Sequence, residues 1–440
     1  IIFVEPAMNR TANTVTNFVS FFNKKSLTQA IIAATAVVSL TACNQNVSVS
    51  KTDEQKPQPV STQTATASVA AASSVTVTAS AALAASTTAT TVTTANVSQQ
   101  FTGDSAIERR LREALPTIQY STDNLNAQAL TTNSAGNQYA RVSSATAQTP
   151  IATASSGTAT TNVDKQQARN TRVQALLNWQ HFSVGAVDGK WGKNTVKAMQ
   201  AFQKDRGIPV TNQVNEQTWQ ALLQDANLAQ QPALVNYTLT EADINTPLVK
   251  IPKDIEAQAE LKNMGYESLT EALAEKFHMD EQYLKQLNKN ANFVAGETIT
   301  VFNPGQPSIT PVTRLVADRK HQQLFAYDAQ DQLVAVYPTT VGSTDTPTPS
   351  GKHQVVNRIL KPNYTYSPKN SDKKTVVQPG PNTPVGIVWI GLDKDGYGIH
   401  GSPDPEAISR QASHGCVRLT NWDVLSLYGT IDDKAVVEFI

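Results

Sequence analysis

The sequence is poor in cysteine: two among 440 residues, Cys43 and Cys416. Charge is also sparse, at 16% of residues, and it is balanced, with Lys+Arg and Asp+Glu both 36. No polybasic run offers a footing on a phosphate backbone, so nucleic acid is not an expected partner. Aromatic residues make up only 6%. Apolar runs are short. From Leu27 to Ala42 the chain is apolar behind Lys24 and Lys25, which suits a signal peptide better than the about 20 residues of a spanning helix. Residues 1–7 precede the first Met, and Met8 is the expected start. The length allows two or three domains.

Residues 44–160 are mostly Thr, Ala, Ser, Val and Gln. Such a stretch buries too little apolar surface to offset the entropy of ordering it, so it reads as a mostly disordered tether. One island stands in it. Ser105 and Glu108 have capping-box spacing, and Ile107, Leu111 and Leu115 recur at helical period before Pro116. Residues 165–225 then read as three helices. Val173, Leu176 and Leu177 mark the first, and Val187-Asp188-Gly189 makes a turn. Asn194 is the expected cap of the second, which stops at Gly207, and Asn215 that of the third. In 236–305, Ser268 and Glu271 open a helix with Leu273 and Phe277. Tyr283, Leu284 and Leu287 suit another, and Thr298 to Phe302 reads as a strand. From 312 to 440 the period shifts to two, in short runs such as Gln323 to Tyr327 and Leu333 to Tyr337 between turn clusters. This pattern predicts a mainly β domain, a sandwich or barrel. One helix follows there, with Asn421 as its expected N-cap and Gly429 as its end.

Chemistry concentrates between Tyr397 and Leu419. YGIHG holds His400, and SHGC holds His414 and Cys416. A free thiol has a pKa of about 8.5, so attack on a carbonyl at neutral pH needs a base, which an imidazole supplies. Amide groups at the Gly415–Cys416 turn are suited to hold the resulting oxyanion. A buried structural cysteine is the bland alternative. Zinc ligation is another, but the H-x-C spacing lacks the paired ligands of a structural site. His400 ends a predicted strand, where it is held rigidly and the Gly401 carbonyl can fix its tautomer. It is therefore the expected base.

SHGCVRLTNWD, YGIHG, QPGPNTPVGIVWIGL (378–392) and VGSTDTPTPSGKH (341–353) together resemble the YkuD-type L,D-transpeptidases. The resemblance spans roughly 312–440. It implies a β-sandwich domain and a cysteine acyltransferase acting on peptidoglycan stem tetrapeptides, with no metal or organic cofactor. It also implies the upstream His400 as base with His414 in support, a supporting motif arginine at Arg418, and a lid over the cleft in 361–383. Tyr397, Ser413 and Trp389, in or beside these motifs, are the expected substrate contacts. VDGKWGKNT and AFQKDRGIPV in 165–225 resemble a three-helix peptidoglycan-binding module, implying glycan as a partner. AGETITV and the preceding helices in 236–305 resemble the later part of a LysM module, with a spacer domain as the alternative; no opening strand is evident. Leu40-Thr41-Ala42-Cys43 resembles the bacterial lipobox, so 1–43 is the expected signal segment and Cys43 the lipidated residue. That implies a membrane-anchored lipoprotein on the periplasmic side of the cell envelope. Lipidation of Cys43 leaves Cys416 with no partner for a disulfide within the chain. Transfer to water, giving an L,D-carboxypeptidase-type thiol peptidase, transfer to a lipoprotein lysine, and a non-catalytic wall-binding protein are the competing readings.

Overall fold

The computed structural model describes residues 96–98, 101, 103–116, 118–121, 165–342, 348–367, 373–410 and 415–440. The signal segment with Cys43, most of the 44–160 stretch, and Ser413 and His414 lie outside the described residues.

Strand β1 (Asn96–Ser98), helix α1 (Ala106–Ala114) and strand β2 (Gln119–Ser121) come first. Ser105 accepts the Glu108 amide and Glu108 accepts the Ser105 amide, so the capping box forms. The α1 residue Leu111 is fully buried.

Helices α2 (Lys165–Trp179), α3 (Lys193–Asp205) and α4 (Glu216–Leu222) form the helical module, followed by α5 (Ala226–Gln230). Asn215 caps α4, accepting the Thr218 amide at 2.8 Å. Asn194 does not cap α3. Gly192 holds that position without a side-chain bond, and Asn194 Nδ2 instead donates to the Ile408 carbonyl at 3.3 Å. The module does not enclose its own core. Leu176, Phe182, Met199 and Phe202 share one apolar cluster with Tyr237, Phe277, Val301 and Val336 from other parts of the chain.

The middle region runs β3 (Leu234–Thr238), α6 (Glu241–Ile244), α7 (Ile255–Ala259), α8 (Leu269–Lys276), α9 (Glu281–Leu287) and β4 (Thr298–Phe302). β3, which sequence inspection did not find, pairs antiparallel with β4 over five residues. The sheet order is β1-β2-β3-β4. The Ser268–Glu271 capping box starts α8 as expected.

The mainly β region adds β5 (Val312–Asp318), β6 (Gln323–Tyr327), β7 (Leu333–Pro338), β8 (Gly351–Leu360), β9 (Tyr364–Tyr366), β10 (Thr375–Val377), β11 (Val388–Leu392), β12 (Gly398–His400) and β13 (Val417–Arg418). Helix α10 (Asn421–Thr430) and β14 (Ile431–Phe439) complete it. One eight-stranded sheet has the order β13-β12-β11-β8-β14-β5-β6-β7. β8 divides it. Residues 351–354 pair with β14 and 355–360 with β11, so the two halves turn about this strand and cover one core, as a strand that switches sheets does in a sandwich. The chain after β7 reaches the far end, where Thr340 and Arg418 exchange amide–carbonyl bonds at 2.9 and 3.0 Å. α10 lies against this core through Val424, Leu425 and Leu427. Its N-cap is Thr420, which accepts the Asp423 amide at 3.2 Å; Asn421, the expected cap, is the first helical residue.

Candidate active site

β11 and β12 form an antiparallel hairpin that sets Trp389 opposite His400. β12 runs parallel to β13, with Ile399 beside Val417 and His400 beside Arg418. Alternation along each strand sorts the side chains. Val388, Ile390, Ile399 and Val417 enter the core. Trp389, His400, Arg418 and Cys416, one residue before β13, fall on the other face. Gly398 permits this, since a Cβ there would lie 2.7 Å from Trp389 Cζ2. The Trp389 and His400 rings stack at 5.7 Å and 21°.

Cys416 is 5% exposed and packs with Val385 and Trp389, flanked by Ile359 and Tyr364. Its Sγ lies 3.6 Å from the Gly396 carbonyl, on the turn that joins β11 to β12. Burial pushes the thiol up to about 11, while the Gly398 amide and the Arg418 guanidinium favour the thiolate. Gly415 precedes it at φ 109°, a left-handed turn that a side chain would strain. Arg418 is held below its usual range by burial, and its Nε makes no hydrogen bond among the described residues.

His400 is 3% exposed. Its Nδ1 lies 2.7 Å from the Gly401 carbonyl. Burial and then Arg418 drive the imidazole down to about 3, while the carbonyls of Gly401 and Val385 favour a proton on the ring. Burial thus disfavours both the thiolate of Cys416 and the imidazolium of His400.

The 361–383 stretch carries the β9–β10 hairpin, whose Tyr364 packs on the thiol cluster. Lys373 pairs with Glu256 of α7 at 2.7 Å between exposed side chains. The Tyr397 ring sits under the Lys394 ammonium at 4.7 Å, on the β11–β12 turn. Ser413 and His414 are not described.

Sequence reasoning missed the support behind His400. Asn421 is fully buried. Its Oδ1 accepts the Ile387 amide at 3.1 Å and lies so close to Gly401 and Gly386 that neither tolerates a Cβ. Its Nδ2 donates to both Glu275 carboxylate oxygens of α8, at 3.1 and 3.0 Å, and to the Pro381 carbonyl at 3.1 Å. Tyr266 donates to Glu275 at 3.1 Å. The next two residues are also held by other regions. Trp422 stacks on His278 at 5.2 Å and 8°, and Ser183 of the helical module donates to Asp423 at 2.9 Å. No sequence signal marked Glu275, which reads as an ordinary polar residue of an amphipathic helix.

Residues 312–438 match the model of the L,D-transpeptidase catalytic domain, and residues 167–222 that of a putative peptidoglycan-binding domain. The chain is 34% identical over 160 residues to the putative L,D-transpeptidase YkuD of Bacillus licheniformis, which covers 36% of this chain and 84% of that relative. It is 32% identical over 133 residues to the putative L,D-transpeptidase YqjB of Bacillus subtilis, covering 29% and 68%. To the probable L,D-transpeptidase YbiS of Escherichia coli it is 25% identical over 222 residues, covering 47% and 72%.

Proposed function

Because the chain belongs to the L,D-transpeptidase family, we propose that it transfers acyl groups between peptidoglycan stem peptides, with the Cys416 sulfur as nucleophile and His400 as base and acid. The donor is a tetrapeptide stem ending in a diamino acid and D-Ala. Sγ attacks the carbonyl carbon at the L-centre of the diamino acid while the thiol proton passes to His400. The carbonyl π pair moves onto oxygen, where amides at the Gly415–Cys416 turn receive it. The carbonyls of Gly401 and Val385 support the imidazolium formed at that moment. On collapse the C–N bond to D-Ala breaks and the imidazolium protonates the leaving nitrogen. An amine of a second stem then attacks the thioester carbonyl and gives its proton to His400. The C–S bond breaks, and the thiolate recovers the proton from His400.

One observation carries this reading. A buried thiol stands at the start of a strand paired directly to the strand of His400, in an apolar pocket of Val385, Trp389 and Tyr364 that limits water. Arg418 and His414 support the turn, and Tyr397, Ser413 and Trp389 contact the donor. Residues 312–440 are the catalytic domain, 165–225 the glycan-holding module and 236–305 a LysM-like element. The signal segment ends at Cys43, whose lipid anchors the protein in the cell envelope through the 44–160 tether.

The test is mass spectrometry of the full chain mixed with a soluble tetrapeptide stem. Wild type should show the tripeptidyl thioester and release D-Ala, and Cys416→Ala should show neither. Release of D-Ala by a folded Cys416→Ala protein would refute the assignment.

A further inference from the structure

A cavity of about 470 Å³ lies beside Arg418, between α7 and the loop that follows His400. Gln258, Glu267 and Ile251 of the middle region line one side, and Ser402, Asp404 and Arg418 the other. Its size is within the range of small-ligand sites. Two buried polar atoms along it have no partner among the described residues: Gln258 Oε1, an acceptor, and Arg418 Nε, a donor. The Gln258 amide orientation is set by its Nε2, which donates to the Pro252 carbonyl at 2.8 Å. Unpaired buried donors and acceptors are rare in folded proteins, and two on one cavity point to a ligand that satisfies both.

The lining also has a charge pattern. One guanidinium faces two carboxylates, Glu267 and Asp404. Each carboxylate is fixed by a backbone amide, Ile251 N and Ala407 N, both at 3.0 Å. A lone anion would satisfy Arg418 and meet repulsion from the acids, and a lone cation would do the reverse. A group bearing both charges fits each end. The cavity also connects with the chemistry. Cys416 and Arg418 are two residues apart along extended chain and lie on one side of it, and the guanidinium is close enough to the thiol to favour its ionised form.

We propose that this cavity binds the α-amino carboxylate terminus of the donor's diamino-acid side chain, its carboxylate on Arg418 and its ammonium on Gln258 Oε1 and the rim acids. The proposal rests on the stem-peptide reading above and gives the middle region a part in substrate choice. A stem whose side chain ends in a plain amine lacks the carboxylate and leaves Arg418 Nε unpaired. A site built for a polar group penalises a ligand that lacks it.

Binding, with catalysis removed, tests this apart from turnover. The full chain carrying Cys416→Ala is titrated calorimetrically with two synthetic stems of equal length, one ending its side chain in an amino carboxylate and one in an amine. The first should bind about tenfold or more tightly, the worth of one hydrogen bond to a charged group. Adding Arg418→Met, which removes the partner of the carboxylate, should bring the ratio of the two dissociation constants close to one, and Arg418→Lys, which restores a cation, should recover part of it. Gln258→Leu removes the acceptor of the ammonium that both stems carry, so it should weaken both and leave the ratio near its starting value; if Arg418→Met does not fold, Arg418→Lys, with a shorter reach and no Nε donor, should still show a lowered ratio. Equal binding of the two stems, or a ratio that neither Arg418 substitution changes, overturns the proposal. A preserved preference in a protein whose wild type releases no D-Ala would sink the catalytic reading and leave this site standing.

Discussion

Glu275→Gln should make the protein more stable at pH 8 than at pH 4, relative to wild type. Burial is the largest influence on the Glu275 carboxyl and raises it from an ordinary 4.5 to about 7, against the hydrogen bonds from Asn421 and Tyr266. The native state therefore keeps the proton to about pH 7, while the unfolded chain loses it near 4.5. Between these values the folded form binds more protons, so stability falls as pH rises and then levels off above 7. Each pH unit of that separation is worth about 1.4 kcal/mol. The cavity of about 420 Å³ beside Glu275 leaves the residue partly accessible and lets water reduce the cost, so the expected total is about 2 kcal/mol. Glutamine keeps the shape and cannot ionise. In urea unfolding its stability relative to wild type should gain that amount between pH 4 and pH 8. Asp423 is also raised by burial, to about 7, with the same sign, so the variant should keep part of the wild-type slope. A pH-independent difference would show that the carboxyl is not raised. A difference of opposite sign would show that the donors Asn421 and Tyr266 outweigh burial.

Two further outcomes follow from the same structure. With its thiol at about 11, Cys416 should be about 10⁻⁴ thiolate at pH 7, against a few per cent for a free thiol; iodoacetamide labelling should rise about tenfold per pH unit up to pH 10, and a plateau near pH 7 would contradict the raised thiol. Leu111→Ala should cost about 2–5 kcal/mol, read as a lower melting temperature, because Leu111 is fully buried and packs on Gly429 so closely that a Cβ there would lie 2.2 Å from its Cδ2; an unchanged melting temperature would mean that α1 does not dock on α10.

Much of this was legible along the chain because the signals are local. Gln323 to Tyr327 and Thr298 to Phe302 alternate or run apolar, and they coincide with β6 and β4. The Ser105 and Ser268 capping boxes need only four residues each. Cys416 and His400 stand in short motifs that can be read without knowing their neighbours in space. The errors arise where a side chain is taken up by distant partners. Asn194 and Asn421 both suit a helix cap in isolation, yet one serves Ile408 and the other Glu275, 146 residues away. β3 lacks a turn signal of its own and is held by pairing with β4. Tyr364 was hidden in a Pro- and Lys-rich stretch whose composition says loop, and Gln258 stands out only once its oxygen is seen without a partner.

The convergence of distant segments on α10 also orders how the chain is made. Arg110 donates to the Gly429 carbonyl across 319 residues at 3.0 Å, and Ser183 reaches Asp423 across 240. At about 5–20 residues per second, α1 leaves the ribosome on the order of 15–60 s before its seat exists. The helical module waits nearly as long for Asp423, with the faces that will meet the catalytic domain uncovered. Residues 421–430 thus supply contacts to three earlier segments of the chain. A chain cut short just ahead of α10 would carry Cys416 and His400 and still leave the docking faces of all three earlier segments open to aggregation.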